Sequence, residues 1–126
     1  MPPKPTDAEL EILNSLWSLG PSPVRDIHAA IARRKPSAMY TTVLKTLQIM
    51  AEKGLVLRDE RQRAHIYATA QPREATQRQI AGDLLTRAFE GSARHLMQGA
   101  LSAQPVSKDD LAELRRLLDE YEEEQL

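Results

Sequence analysis

Cysteine is absent from this chain of 126 residues, which removes disulfides, thiolate metal sites and cysteine nucleophiles together. Long apolar runs are missing too. None approaches the roughly 20 residues that a membrane helix needs, so no membrane partner is expected. The opening stretch MPPKPTDAEL lacks the apolar core of a secretory signal, and the cytoplasm is the expected address. No repeat at solenoid spacing occurs, and low complexity is confined to Glu122-Glu123-Glu124. No phosphate-binding loop, nucleophile elbow or paired-ligand motif is present. His28, His65 and His95 lie far apart in sequence, so neither enzymatic activity, a metal site nor a cofactor is expected. His28 reads as a surface or packing residue, and His65 sits in a strand beside the wing, where contact with a phosphate is the less favoured reading.

What is present is uneven in charge. The net charge is -1, but residues 1–70 hold ten Lys/Arg against seven Asp/Glu, whereas residues 71–126 hold seven against eleven. A head of +3 on a tail of -4 suits a basic reading surface attached to an acidic, solvated region. One compact domain with an appendage fits this length better than two independent cores.

The order of elements is legible from caps and periodicity. Thr6-Asp7 announces a first helix, with Glu9 in its first turn and an apolar stripe at Leu10, Ile12, Leu13, Leu16 and Trp17 that ends before Gly20-Pro21. Ser22-Pro23 is expected to restart the chain as N-cap and first helical residue. The second helix then buries Val24, Ile27, Ala30 and Ile31 and closes on Arg33-Arg34-Lys35 before Pro36. A third helix is expected from about Ala38 to Lys53, stopped by Gly54, with Val43, Leu47 and Met50 along its inner side and Leu44 and Ala51 flanking. Leu55–Arg58 and Ala64–Ala68 read as two strands joined by a polar turn. After Gln71-Pro72 the pattern is helical again. Residues 73–90 place Ile80, Leu84, Leu85, Ala88 and Phe89 on one face, a shorter helix carries Leu96, Met97 and Leu101, and a last one, capped by Ser107 with Asp110, carries Leu111, Leu114, Leu117, Leu118 and Tyr121. Three helices and a hairpin make a winged helix-turn-helix. The expected fold is mainly α with a small β-hairpin wing: a head at residues 1–71 and a helical dimerisation region at 72–126.

The outer side of the third helix is where nucleic acid is expected. Thr41 and Thr42 offer hydroxyls to phosphates or base edges and methyl groups to thymine, Lys45 one turn later reaches a phosphate or a guanine edge, and Gln48 continues the polar face. Ser37 and Tyr40 lie where the helix N-terminus meets a sugar-phosphate backbone. Arg61 and Arg63 at the wing would flank the duplex. The expected partner is double-stranded operator DNA, held by several phosphate contacts per subunit.

The chain also resembles a known family, the penicillinase repressor (BlaI/MecI/CopY-like) regulators. The matching stretches are Asp7-Ala8-Glu9-Leu10-Glu11-Ile12-Leu13 with Leu16-Trp17, Gly20-Pro21, Val24-Arg25-Asp26-Ile27, Tyr40-Thr41-Thr42-Val43-Leu44, Lys53-Gly54-Leu55-Val56, Tyr67 and the stretch from Val106 to Leu114. The resemblance implies a homodimer whose C-terminal helices intertwine while two winged heads read an inverted repeat of TACA/TGTA half-sites. It also implies release by an inactivating protease or by another signal in its place. The tail agrees with a dimer independently, because Leu96, Met97 and Leu101 with Leu111, Leu114 and Leu118 are more apolar surface than a thin three-helix tail covers alone. Three departures stand out. Gly99-Ala100 replaces the family's scissile Asn-Phe pair, the cysteines of the copper-responsive members are missing, and Ile49 and Gln62 occupy positions where relatives carry a polar or basic residue and the wing glycine.

Two other readings stay open on sequence alone. A winged helix used for protein interaction would present an apolar patch on its third helix, and here only Ile49 breaks the polar side. A ligand-sensing regulator of another type would need a pocket, which Trp17 and Phe89 are placed to line, although aromatics at such positions generally belong to the core.

Overall fold

The computed structural model describes residues 3–126 and is mainly helical, with one small antiparallel sheet. In chain order the elements are α1 (Asp7–Leu19), β1 (Ser22–Pro23), α2 (Val24–Arg34), α3 (Tyr40–Lys53), β2 (Val56–Asp59), β3 (Ile66–Thr69), α4 (Arg73–Phe89), α5 (Ala93–Ala103) and α6 (Lys108–Glu124). The chain forms two compact units, one ending at Ala81 and the other spanning Gly82–Leu126.

In the first unit the apolar stripes of α1, α2 and α3 meet in one core. Ile12, Leu13, Leu16, Val24, Ile27, Ile31, Val43, Leu47 and Met50 are buried there, and Leu55, Val56 and Tyr67 close it from the sheet. Each such large side chain contributes roughly 1.5–3 kcal/mol when removed from water. The inner face expected of α3 is therefore the observed one, with Leu44 and Ala51 packed at its margin. Ala30 is only half-buried at the edge of α2, because the core residues Ile27 and Ile31 define the inward direction of that helix.

Gly54 ends α3 in the left-handed region (φ 82°, ψ 16°). Leu55 N–H then donates to the Met50 carbonyl at 2.9 Å, which drops Leu55 into the core.

Three expectations about boundaries need correction. Ser22-Pro23 does not begin α2. It forms a short strand whose Ser22 and Pro23 pair with Tyr67 and Ile66 of β3, so the sheet has three strands in the order β1-β3-β2. Pro23 serves instead as the extended N-cap of α2, and its lack of an N–H suits an edge strand. The hairpin strands are Val56–Asp59 and Ile66–Thr69, one to two residues later than expected, because Leu55 is committed to the turn after α3. Third, α3 starts at Tyr40, with Ala38 and Met39 in the preceding turn.

Thr6 and Glu9 form a full capping box on α1, and Glu9 is buried at 3% exposure. Its carboxylate accepts from Thr6 N–H at 2.9 Å and from Lys53 Nζ at 2.8 Å. Burial pushes this carboxyl up, but the bonds from Lys53 and Thr6 together outweigh burial and hold it below its ordinary 4.5. A carboxylate depressed in the folded state stabilises above its unfolded pKa, and that contribution is lost as pH falls through the folded value. Lys53→Met is accordingly expected to cost about 1–3 kcal/mol at pH 7. The gap from the parent should begin to narrow as pH falls below about 4.5 and close once pH has passed below the depressed folded value, where Glu9 is neutral in both states. Urea unfolding at pH 7 and pH 3 checks both the size and the sign.

In the second unit α5 and α6 each begin at a serine N-cap, Ser92 accepting from His95 N–H and Ser107 accepting from Asp110 N–H. No residue from Gly82 to Leu126 is buried.

Candidate nucleic-acid interface

The core side chains of α3 turn its opposite side outward. Thr41, Thr42, Lys45 and Gln48 are all exposed, and they follow one another at helical spacing along the first three turns. The only carboxylate on α3 is Glu52, about 16 Å along the axis from Thr41. The polar face that leads the helix therefore carries one positive charge and no negative one. Ile49 is 41% exposed on the same side, so it joins this surface and does not pack in the core.

The leading end of α3 has no side-chain cap. Its first N–H groups face outward with the positive end of the helix dipole, which is the arrangement that receives a phosphate oxygen. The preceding turn is fixed from α2. His28 Nε2 lies 2.8 Å from the Ala38 carbonyl and donates to it, and the His28 ring meets the Tyr40 ring edge-on with centroids 5.8 Å apart. Of the two readings open on sequence, surface or packing, His28 takes the second and packs against Tyr40. Ser37 is exposed in that turn.

At the wing the charges sort themselves. Asp59 accepts from the backbone N–H, Nε and Nη2 of Arg61, at 3.0, 3.0 and 2.7 Å, which holds its carboxyl down to about 2 and raises Arg61 further. Arg58 pairs with Glu60 at 2.9 Å. Arg61 is therefore balanced within the wing itself. Arg63 has no such partner among the described residues, and it lines a shallow groove of about 240 Å³ with Arg25, Tyr40 and His65. No carboxylate lines that groove. The structure thus brings Tyr40 and Arg63 together, sets Thr41, Thr42, Lys45 and Gln48 on one helix face, and ties Arg61 to Asp59. Sequence reading missed Arg25. It reaches the groove because β1 pairs with β3, and a two-residue strand leaves almost no trace in composition or periodicity.

The expected tail residues lie in the second unit. Leu96, Leu111 and Leu114 are half-buried, whereas Met97, Leu101 and Leu118 are exposed at 38, 47 and 67%. Leu117 and Tyr121 on α6 are exposed as well. Among the described residues no group of three His, Asp or Glu side chains is placed to hold a metal ion, and no helix is long and apolar enough to cross a membrane.

Comparison with known proteins adds a lineage to this geometry. Residues 5–120 match the model of the family described as penicillinase repressor. The transcriptional regulator BlaI of Mycobacterium tuberculosis, in strains CDC 1551 and H37Rv alike, is 37% identical over 119 residues, covering 92% of this chain and 83% of the relative. An exposed polar face free of carboxylates on a winged helix, within a chain that matches along nearly all its length, leads to one conclusion: the protein belongs to the penicillinase repressor family of transcriptional regulators.

Proposed function

We propose that this chain is a dimeric repressor that binds an inverted-repeat operator, with α3 of each head in the major groove and the wing on the sugar-phosphate backbone. The observation that carries the reading is the exposed face Thr41, Thr42, Lys45 and Gln48 at the uncapped end of α3. Thr42 and Lys45 are assigned to base edges and adjacent phosphates, Thr41 and Gln48 to the margins of the groove, and Ser37 and Tyr40 to the backbone at the helix end. Arg63 is assigned to a flanking phosphate directly. Arg61 reaches one by exchanging its Asp59 partner for a phosphate of like charge. Half-sites of the TACA/TGTA type are the expected target, as the family resemblance implies. A repressor of bacterial promoters works in the cytoplasm, and it needs no catalytic chemistry.

Residues 1–71 act in this proposal as the reading head and residues 72–126 as the dimerising tail. The support for pairing is that α5 and α6 leave Met97, Leu101, Leu117, Leu118 and Tyr121 exposed, while Leu96, Leu111 and Leu114 are only half-covered. A second copy, offering the same apolar row about a two-fold axis, is the occupant this proposal assigns. At roughly 1.5–3 kcal/mol for each large side chain covered, five or six per subunit suffice for a stable pair.

Gly99-Ala100 lies inside α5 and presents neither side chain of the family's scissile pair. Cleavage at that bond is accordingly no part of the proposal.

A gel shift tests the reading. A duplex with a TACA/TGTA inverted repeat should be retained by two copies of the chain at far lower protein concentration than a scrambled duplex, and the difference should persist as salt is raised. Equal retention of both duplexes would contradict operator reading.

A further inference from the structure

Several cations of the first unit have a carboxylate beside them: Arg25 meets Asp26, Lys35 meets Glu11, Lys53 meets Glu9, Arg58 meets Glu60 and Arg61 meets Asp59. Arg33, Arg34 and Arg73 have none among the described residues. These three line one cleft of about 620 Å³, together with Trp17, Asn14 and Gln77, and no carboxylate lines it. Arg33 and Arg34 come from the last turn of α2 and Arg73 from the first residue of α4, so the chain brings them together from distant positions. The Arg73 guanidinium sits 5.8 Å from the centre of the Trp17 ring. The indole Nε1 of Trp17 is buried and meets no hydrogen-bond acceptor among the described residues.

Each feature has a plain explanation alone, but they do not add up to one. Two arginines at the end of α2 complement its dipole. That does not account for a third arginine arriving from α4, and it leaves a buried N–H donor unsatisfied, which costs free energy wherever it occurs. Nor does the cleft belong to the reading surface, since its lining comes from α1, α2 and α4 and no residue of α3 contributes. A cavity of this size, lined by forked guanidinium donors, neutral amides and the Trp17 side chain, matches a small molecule bearing two or more anionic oxygens.

We propose that this cleft is a binding site for a small polyanion, carboxylate or phosphate in chemistry, that bridges Arg33 and Arg34 to Arg73 and supplies the acceptor that Trp17 Nε1 lacks. The site joins the end of α2, just before the turn that leads into α3, to the first residue of α4. An occupant would thus act on the segment that sets the reading helix, which is the place for an effector. That regulatory role rests on the repressor reading. Binding itself does not.

Trp17 is the single tryptophan of the chain, so its emission reports the site directly. The full chain would be titrated with sodium citrate and, separately, sodium pyrophosphate, with sodium chloride at matched ionic strength as control. Citrate as the responding anion would mark a carboxylate site and pyrophosphate a phosphate site. The expected result is a saturable change with at least one of them and none with chloride. The midpoint should rise about tenfold or more in an Arg33→Gln/Arg34→Gln variant whose circular dichroism and melting temperature match the parent. Arg73→Gln, from the other helix, should do the same. A response no larger than that to chloride, or midpoints unchanged in both variants, would overturn the site. So would an Arg33→Gln/Arg34→Gln variant that keeps its anion response but weakens binding to every duplex, because the arginines would then be phosphate contacts to DNA. Failure to bind an operator would sink the repressor reading and leave the fluorescence result standing.

Discussion

Leu118→Glu is expected to leave the first unit folded, to turn the protein into a monomer and to weaken operator binding by about a hundredfold or more. Leu118 is 67% exposed in the single chain, so nothing within one chain depends on its packing. Glutamate is also a good helix former and keeps α6 intact. In a dimer the same position is covered by the other copy, and a carboxylate there must be stripped of water at a cost of several kcal/mol. The neighbouring Asp119, Glu120 and Glu122 add like charge. Losing the dimer turns two linked half-site contacts into independent weak ones, which is where the factor of 10²–10⁴ for linked binding comes from. Sedimentation velocity gives the mass and fluorescence anisotropy gives the affinity. Leu118→Met, which keeps the apolar contact, should remain dimeric and bind normally. A Leu118→Glu protein that still sediments as a dimer would move the interface away from α6.

Lys45→Ala should have the second-largest effect. Each lost contact to a base edge or phosphate is worth about 1–3 kcal/mol, and a dimer loses two, so affinity for the operator should fall by about a hundredfold. The salt dependence separates the two roles of the side chain. If Lys45 neutralises a phosphate, the slope of log K against log salt should flatten by about 2 per dimer, with the loss shared by all sequences. A guanine edge instead predicts that preference over a substituted half-site collapses while non-specific binding persists. The fold should be indifferent, because Lys45 is exposed and makes no ion pair among the described residues. Unchanged affinity and unchanged slope would remove α3 from the interface.

The sequence displayed the architecture best where a strong local signal and the core agreed. Gly54 after an apolar helix, Pro36 after a basic helix end and the Ser107 cap before α6 each act within a few residues, and the elements fall where those signals place them. The exposed polar face of α3 was legible for the same reason, since the periodicity that buries Val43, Leu47 and Met50 also exposes Thr41, Thr42, Lys45 and Gln48. What stayed hidden depends on pairing across the chain. Ser22-Pro23 looks like a helix start until Tyr67 is known to lie beside it. The partnership of Glu9 with Lys53 spans 44 positions. Arg73 and Arg33 carry no mutual signal in a linear pattern, and Arg61 reads as a free cation until Asp59 is seen to hold it. The exposed row on α5 and α6 was visible as leucines, but only the fold shows that the second unit buries none of them.

Because the chain has no cysteine, one can be introduced at a chosen point of α3 and used as a unique handle. Ile49 is exposed beside the proposed contact residues without being one of them. An iron chelate attached to Ile49→Cys and activated on operator-bound protein would cut the DNA nearest that residue. Two clusters of cuts, symmetric about the centre of the inverted repeat and each within a half-site, are the expected result. Cuts spread evenly along the duplex, or confined to its flanks, would contradict the account of a dimer reading its operator through α3.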